Sequence, residues 1–108
     1  MIDERRKRFK NKIMTLANFF RSYYHNNPEY LFSSPGRIEI LGNHTDHNHG
    51  KVIVSTIDLS ILALVRKTKN HYLTYKTDGY KEMKIDLNDL SVKPDEFNQS
   101  IGLIRGIL

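Results

Sequence analysis

The sequence predicts an α+β fold, in which an N-terminal helix is followed by several strands and a closing helix. Three observations support this prediction. Apolar residues from Phe9 to Tyr23 recur at intervals of 4, 3, 4 and 3, which is the period of one helix face. Short β-branched and alternating runs follow. A second stripe at helical spacing, which begins at Phe97, closes the sequence.

The first helix is predicted from Glu4 to about Tyr24. Asp3 suits the N-cap position, and Asn26-Asn27-Pro28 is a stop signal. Charged residues lie opposite the apolar stripe, so we expect the stripe to pack against the rest of the fold rather than to stack on a ligand.

Strands are predicted in the centre of the chain at Tyr30–Ser33, Arg37–Leu41, Val52–Val54 and Leu59–Val65. Pro35-Gly36 is expected to separate the first two, and residues 56–58 are expected to bend between the last two. The later segments are continuously apolar, which is typical of strands buried on both faces.

A hairpin and a helix complete the prediction. Residues 71–76 alternate, Asp78-Gly79 is a strong turn signal, and residues 80–87 supply the partner strand. The apolar face of the last helix is formed by Phe97, Ile101, Ile104 and Leu108. Because this helix ends without a cap or a polar tail, we expect the sequence to be a fragment, and no linker indicates a second domain within residues 1–108.

Composition narrows the class of protein. At 108 residues, with 39% hydrophobic and 27% charged residues, the chain suits one modest domain. No apolar run approaches a membrane span, and the N-terminus is charged where a signal peptide needs an apolar core, so we expect a cytoplasmic protein without a membrane partner. The absence of cysteine excludes disulfides and thiolate zinc sites.

The net charge of +5 is concentrated at one end. Residues 1–12 carry a net charge of +4, and the other 96 residues contribute +1. We therefore expect a solvated helix face there rather than a nucleic-acid-binding surface.

Side chains that can bind a ligand are concentrated in a polar loop, residues 43–50, between two predicted strands. The ionised carboxylate of Asp46 can accept from two hydroxyl groups at once, and Asn43 and His44 can each donate and accept, which suits a sugar. Arg37 carries a permanent charge suited to a phosphoryl group or a carboxylate. A structural alternative is an ion pair between Arg37 and Asp46, with the histidines capping loop carbonyls.

Other ligands fit this loop less well. Its possible metal ligands are His44, Asp46, His47 and His49. Their spacing does not match a helical histidine pair, so a catalytic zinc is not the favoured interpretation. A calcium loop would require glutamate at Ile57, and a Walker phosphate loop would require serine or threonine at Val52.

The run Gly36-Arg37-Ile38-Glu39-Ile40-Leu41-Gly42-Asn43-His44-Thr45-Asp46, followed by Asn48, Gly50 and Val52, resembles the N-terminal signature of galactokinases, which belong to the GHMP-kinase family. Weaker similarity extends over residues 30–64, and residues 101–108 look like the next helix of that family. The resemblance implies that residues 1–108 are a galactokinase galactose-binding region. It also implies the GHMP-kinase fold, an α+β fold with a mixed sheet, similar to the second domain of a small-subunit ribosomal protein.

The resemblance also implies a set of site residues: Arg37 as a catalytic and substrate-binding residue, and Gly42, Asn43, His44, Asp46 and Gly50 as substrate-binding residues. The residue matching Arg37 lies beside the sugar C1 hydroxyl and the transferred phosphoryl in this family. The residue matching Asp46 binds ring hydroxyls, and those matching Asn43 and His44 bind toward the far end of the sugar. The two glycines would let the backbone approach the ligand.

Two residues depart from the family pattern. The family usually has glutamate at Asn43 and tyrosine at His47. An amide in place of a carboxylate changes which hydroxyl pattern is preferred. The resemblance therefore implies galactose or a close relative as the substrate.

The implied activity is transfer of the γ-phosphoryl of ATP, with Mg²⁺, to the C1 hydroxyl of the sugar by a full-length protein that is expected to be a monomer. The phosphate loop, the catalytic aspartate and the glycine-rich third motif of the family do not occur in residues 1–108. We therefore expect the chain alone to be inactive. The alternatives are a non-catalytic galactose-binding paralogue or sensor, a truncated gene remnant, and a small metal-dependent or nucleic-acid-binding protein.

Overall fold

The computed structural model describes residues 2–42 and 45–108, with the side chains of Ile2 and Asp46 excepted. It divides into two compact units, residues 1–67 and residues 68–108, a division that the sequence analysis did not predict. In chain order the elements are α1 (Ile2–Tyr24), β1 (Tyr30–Leu41), a 3₁₀ turn (Asp46–Asn48), β2 (Ile53–Val65), β3 (Tyr72–Tyr75), β4 (Met83–Asp86), a second 3₁₀ turn (Pro94–Glu96) and α2 (Ser100–Arg105). The predicted α+β class is confirmed.

The first helix agrees with the prediction at its end and differs at its start. It begins at Ile2, so Asp3 lies inside the first turn rather than at the N-cap, where its carboxylate still favours the positive end of the helix dipole. It ends at Tyr24 because His25 adopts a left-handed conformation, with φ 52°, while its N–H donates to the Arg21 carbonyl at 2.9 Å.

The first unit contains one long antiparallel hairpin. The strands β1 and β2 pair from Tyr30 opposite Val65 to Leu41 opposite Ile53, and the register shifts at Gly36 and again at Ile40. The predicted break at Pro35-Gly36 is therefore wrong, and the predicted bend over residues 56–58 coincides with the first register shift inside a single strand. An antiparallel ladder absorbs extra residues as bulges, and a strand of a two-stranded sheet has a free edge that tolerates proline.

The two faces of this hairpin differ in burial. The helix α1 contacts β2, and the Arg5 guanidinium lies 3.4 Å from the Asp58 carboxylate. Leu62 and Leu64 are half-buried, whereas Ile61, which precedes them on the strand, is 78% exposed. The prediction of strands buried on both faces is wrong, because α1 covers one face and is the one described element of this unit that contacts the sheet.

The second unit contains the predicted hairpin. The strands β3 and β4 pair antiparallel, and Gly79 in the connection has φ 77°, as the Asp78-Gly79 signal indicated. Ile85 on β4 is completely buried. Both described sheets are two-stranded and antiparallel, so the parallel pairing of a mixed sheet does not occur among the described strands.

The closing helix is shorter than predicted. It starts at Ser100 rather than at Phe97, because Asn98 has φ 60° and Gln99 is extended, and neither conformation continues a helix. The side chain of Phe97 is exposed, whereas Arg105 in the last turn is buried. No helix in the described part of the chain is both long and apolar enough to span a bilayer.

Candidate functional site

The polar loop lies between two strands, as the sequence predicted. It connects β1 to β2, and the ladder places Leu41 opposite Ile53 at its two ends. We call residues 42–52 the site loop. Because the ladder fixes both ends, few backbone conformations remain to be ordered when a ligand binds.

The hydrogen bonds of the site loop converge on Thr45. Its N–H donates to the Gly42 carbonyl at 3.0 Å. Its carbonyl accepts from the Asn48 N–H at 3.1 Å and from the Gly50 N–H at 2.7 Å. His49 has φ 61°, a left-handed conformation that turns the chain back toward Thr45. The sequence analysis assigned no role to Thr45, although its position between two glycines of a polar loop is a signal for such a turn.

Two glycines are required by contacts within the loop. Gly42 has φ 116°, and a Cβ there would lie 2.6 Å from Cγ1 of Val52. A Cβ on Gly50 would lie 2.5 Å from both Cβ and Oγ1 of Thr45. The resemblance implies that these glycines give a ligand room, and the structure adds an internal reason for both.

Arg37 lies on β1, opposite Thr56, with its side chain exposed. Among the described residues, no carboxylate lies within ion-pair distance of its guanidinium. Gly42 is five positions further along the chain, which is roughly 16 Å of extended strand. The loop must fold back along β1 if Arg37 and Asp46 are to meet one ligand.

The remaining predicted site residues are only partly described. Asn43 and His44 lie outside the described residues, and Asp46 is described by its backbone alone. The alternative ion pair between Arg37 and Asp46 therefore remains a prediction. Among the residues whose side chains the structure describes, which exclude those of His44 and Asp46, no group of three or more histidines and carboxylates is arranged to hold a metal ion.

The second unit contains a buried ion pair. Both Glu96 carboxylate oxygens accept from Arg105, at 2.7 Å from Nε and 2.8 Å from Nη2, and Nη1 donates to the Asp89 carbonyl. Hydrogen bonds from Arg105 hold the pKa of Glu96 below its ordinary value. Hydrogen bonds from Ser91 and then Lys93 lower the pKa of Asp89 to about 2.

This ion-pair cluster borders an open groove of about 350 Å³, whose apolar lining includes Leu90, Phe97 and Leu103. The guanidinium of Arg105 is satisfied on three of its atoms by groups of the same unit. It therefore fastens α2 to the preceding turn, which is a structural role.

Comparison with known families identifies the first unit. A family model for the galactokinase galactose-binding signature matches residues 18–67. This region of the chain carries the galactokinase sugar-binding signature. The match contains the end of α1, both strands of the long hairpin and the whole site loop.

Curated galactokinases are similar over more of the chain. That of Clostridium acetobutylicum is 32% identical over 95 residues, which is 84% of this chain and 23% of the relative. The Chloroflexus aurantiacus galactokinase is 27% identical over 97 residues, 89% of this chain and 24% of the relative. That of Schizosaccharomyces pombe is 36% identical over 59 residues, 55% of this chain and 11% of the relative.

These comparisons also define the extent of the similarity. The chain spans about a fifth of the length of the first relatives it matches. The aligned region with the Clostridium acetobutylicum galactokinase covers 84% of this chain, which is more than the first unit contains. The similarity therefore extends into the second unit. No solved structure matches the chain.

Proposed function

We propose that this chain is the sugar-binding N-terminal part of a galactokinase-type sugar 1-kinase with the GHMP-kinase fold. The complete protein would transfer the γ-phosphoryl of ATP to the C1 hydroxyl of galactose or a close relative. The observation that carries the proposal is the match of the galactokinase galactose-binding signature to the strands that hold the site loop.

The site loop would bind the sugar through its polar side chains. Asp46 would accept hydrogen bonds from two ring hydroxyls, since an ionised carboxylate offers acceptors only. Asn43 and His44 would bind hydroxyls toward the far end of the ring. The internal hydrogen bonds of the loop reduce the conformational entropy that is lost when these groups bind a ligand.

Arg37 would act on the transferred group. Its exposed guanidinium, which has no carboxylate partner among the residues whose side chains are described, would stabilise the negative charge that develops on the phosphoryl. A bond forms between the C1 oxygen and phosphorus while the bond from phosphorus to the ADP oxygen breaks. The hydroxyl proton passes to a base that the sequence-matched part of the chain does not contribute.

We place the ATP site outside the site loop. A phosphate loop presents free backbone N–H groups to the ligand, but those of Thr45, Asn48 and Gly50 already donate to carbonyls of the loop itself. ATP and Mg²⁺ would therefore be held mainly by parts of a complete kinase beyond the matched region. Residues 1–108 alone are expected to have no kinase activity, and a cytoplasmic monomer remains part of the proposal.

A galactose titration of the chain, followed through its backbone amide resonances, tests sugar binding directly. We expect saturable shifts at Thr45, Asn48 and Gly50, and we expect Asp46→Ala to abolish them. Asp58→Ala is the matched control, since it removes a carboxylate of the same unit that pairs with Arg5. Equal binding by wild type and Asp46→Ala, or no binding by wild type, contradicts the proposal.

A chimaera tests the kinase assignment. Residues 1–108 would replace the matching segment of the Clostridium acetobutylicum galactokinase, and galactose-dependent ATP consumption would be measured. We expect activity that Asp46→Ala reduces mainly through a higher galactose KM and Arg37→Ala mainly through a lower kcat. Unchanged KM and kcat in both variants would exclude the assigned roles, and ATP turnover by residues 1–108 alone would refute the predicted inactivity.

A further inference from the structure

Thr45 occupies a special position because its carbonyl belongs to the peptide unit that leads into Asp46. That oxygen accepts two hydrogen bonds, from the Asn48 N–H at 3.1 Å and from the Gly50 N–H at 2.7 Å. The peptide unit is planar. Two donors on its oxygen therefore fix the orientation of the whole Thr45–Asp46 plane, from which the Asp46 backbone starts.

A steric contact supports these hydrogen bonds. The Cα of Gly50 lies so close to Thr45 that an added Cβ would meet Cβ, Oγ1 and the carbonyl oxygen of Thr45 at 2.5 to 2.6 Å. The left-handed conformation of His49, with φ 61°, brings Gly50 back to this position. We call the two hydrogen bonds to the Thr45 carbonyl, together with this contact, the Thr45 lock.

We propose that Thr45 and Gly50 are positioning residues, and that the Thr45 lock fixes the backbone orientation from which Asp46 meets the sugar. The inference rests on the proposed function, since it takes Asp46 as a sugar ligand. It also gives position 50 a reason for glycine other than access for the ligand, because a side chain there would displace Thr45. A loop that is already ordered loses less entropy on binding, so opening the lock weakens affinity without removing any group that touches the sugar.

Hydrogen exchange tests whether the lock exists, without any sugar. We expect the Gly50 amide to exchange roughly tenfold or more slowly than its intrinsic rate, because it donates a short hydrogen bond. The Lys51 amide is the internal control, since no hydrogen bond from it is found among the described residues. Exchange of Gly50 at the intrinsic rate overturns the lock.

Galactose titration tests whether the lock positions Asp46. We expect Gly50→Ala to raise the galactose Kd about tenfold or more while the amide shifts of β1 and β2 are kept, and Thr45→Ser, which retains the carbonyl and the hydroxyl, to bind within about twofold of wild type. Gly79→Ala is the matched control, because its φ of 77° is equally left-handed but nothing lies within 4 Å of the added Cβ.

The outcomes separate the two proposals. If wild type binds galactose and Gly50→Ala binds it equally well, the positioning role is overturned and the proposed function stands. If wild type does not bind galactose, the proposed function fails and the positioning role fails with it, while slow exchange of Gly50 would still report an intact lock.

Discussion

The two units of the chain differ in whether an apolar side chain is fully enclosed. The second unit has 41 residues and encloses Ile85 completely. The first unit is larger and has more apolar strand residues, yet Phe32 is 58% exposed and Ile61 is 78% exposed. The order of the site-bearing unit therefore depends on its backbone ladder and turn hydrogen bonds more than on a closed core.

The two units also differ in the exposure of their charged side chains. In the second unit, Arg105 is 7% exposed and is held by Glu96 through two hydrogen bonds. In the first unit, the Arg5 and Asp58 pair is mostly exposed, and Arg37 has no carboxylate partner among the described residues. A buried ion pair serves the fold, whereas an exposed cation on a strand can contact a ligand.

Truncating matched isoleucines should give the largest difference between the units. Ile85→Ala should lower the free energy of unfolding of the second unit by about 2–5 kcal/mol, because it removes buried methyl groups and leaves a cavity. Ile61→Ala deletes the same atoms from an exposed position and should cost about 0.5 kcal/mol or less. Urea denaturation followed by amide resonances of each unit measures both values, and equal costs would contradict the difference in burial.

Glycine substitutions should give the next largest effect. Gly42→Ala combines a φ of 116° with a Cβ 2.6 Å from Val52, so we expect a loss of about 2–3 kcal/mol in the first unit. Gly79→Ala has the left-handed φ without a neighbouring atom and should cost about 1 kcal/mol in the second. The same denaturation measurement compares them, and a smaller cost for Gly42→Ala would show that the loop can relax around the added methyl group.

Elements with a local signal could be predicted from the sequence. The stripe of α1 and the Asp78-Gly79 turn are encoded by neighbouring residues, and both elements were found. The continuity of β1 through Pro35-Gly36 was missed, because the partner strand decides whether such residues end a strand or form a bulge. The burial of the central strands was also mispredicted, since burial depends on which elements cover a sheet and not on the apolarity of the strand alone.

The polar loop was predicted to lie between two strands, and this placement is confirmed. The sequence analysis assigned ligand-binding roles to charged side chains such as Arg37 and Asp46, because a charge can be recognised from the residue type. It missed Thr45, whose backbone carbonyl accepts hydrogen bonds within the loop. Every residue has such a carbonyl, so the residue type does not reveal this role. The ion pair between Glu96 and Arg105 was also missed, because nine residues separate the partners and no helical spacing joins them.

Acid should weaken the second unit selectively. The pKa of Glu96 is lowered in the folded state by its hydrogen bonds to Arg105, and that of Asp89 is lowered to about 2 by hydrogen bonds from Ser91 and Lys93. Carboxylates with lowered pKa values stabilise the fold fully above their ordinary values of 4.5 and 3.8, and this contribution is lost as the pH falls toward the folded values. Stability should therefore be constant from pH 7 to about 5 and should fall below that.

Urea denaturation of the second unit at a series of pH values measures this dependence. The control is Glu96→Gln, which should be less stable than wild type at pH 7 and should lose less on acidification, because its amide does not titrate. A pH profile identical to that of wild type would mean that the ion pair does not link the protonation of Glu96 to folding.

The smallest effect is expected at the ion pair between Arg5 and Asp58 in the first unit. Arg5 and Asp58 are 63% and 77% exposed, so solvent screens their attraction, and we expect a coupling energy of about 0.5 kcal/mol or less. A double-mutant cycle with Arg5→Ala and Asp58→Ala, measured by urea denaturation at low and high salt, isolates this coupling. A coupling above about 1 kcal/mol would mean that solvent does not screen this pair as its exposure predicts. In that case the first unit, like the second, would depend on a charge pair for its fold, and the contrast between the two units would be limited to burial.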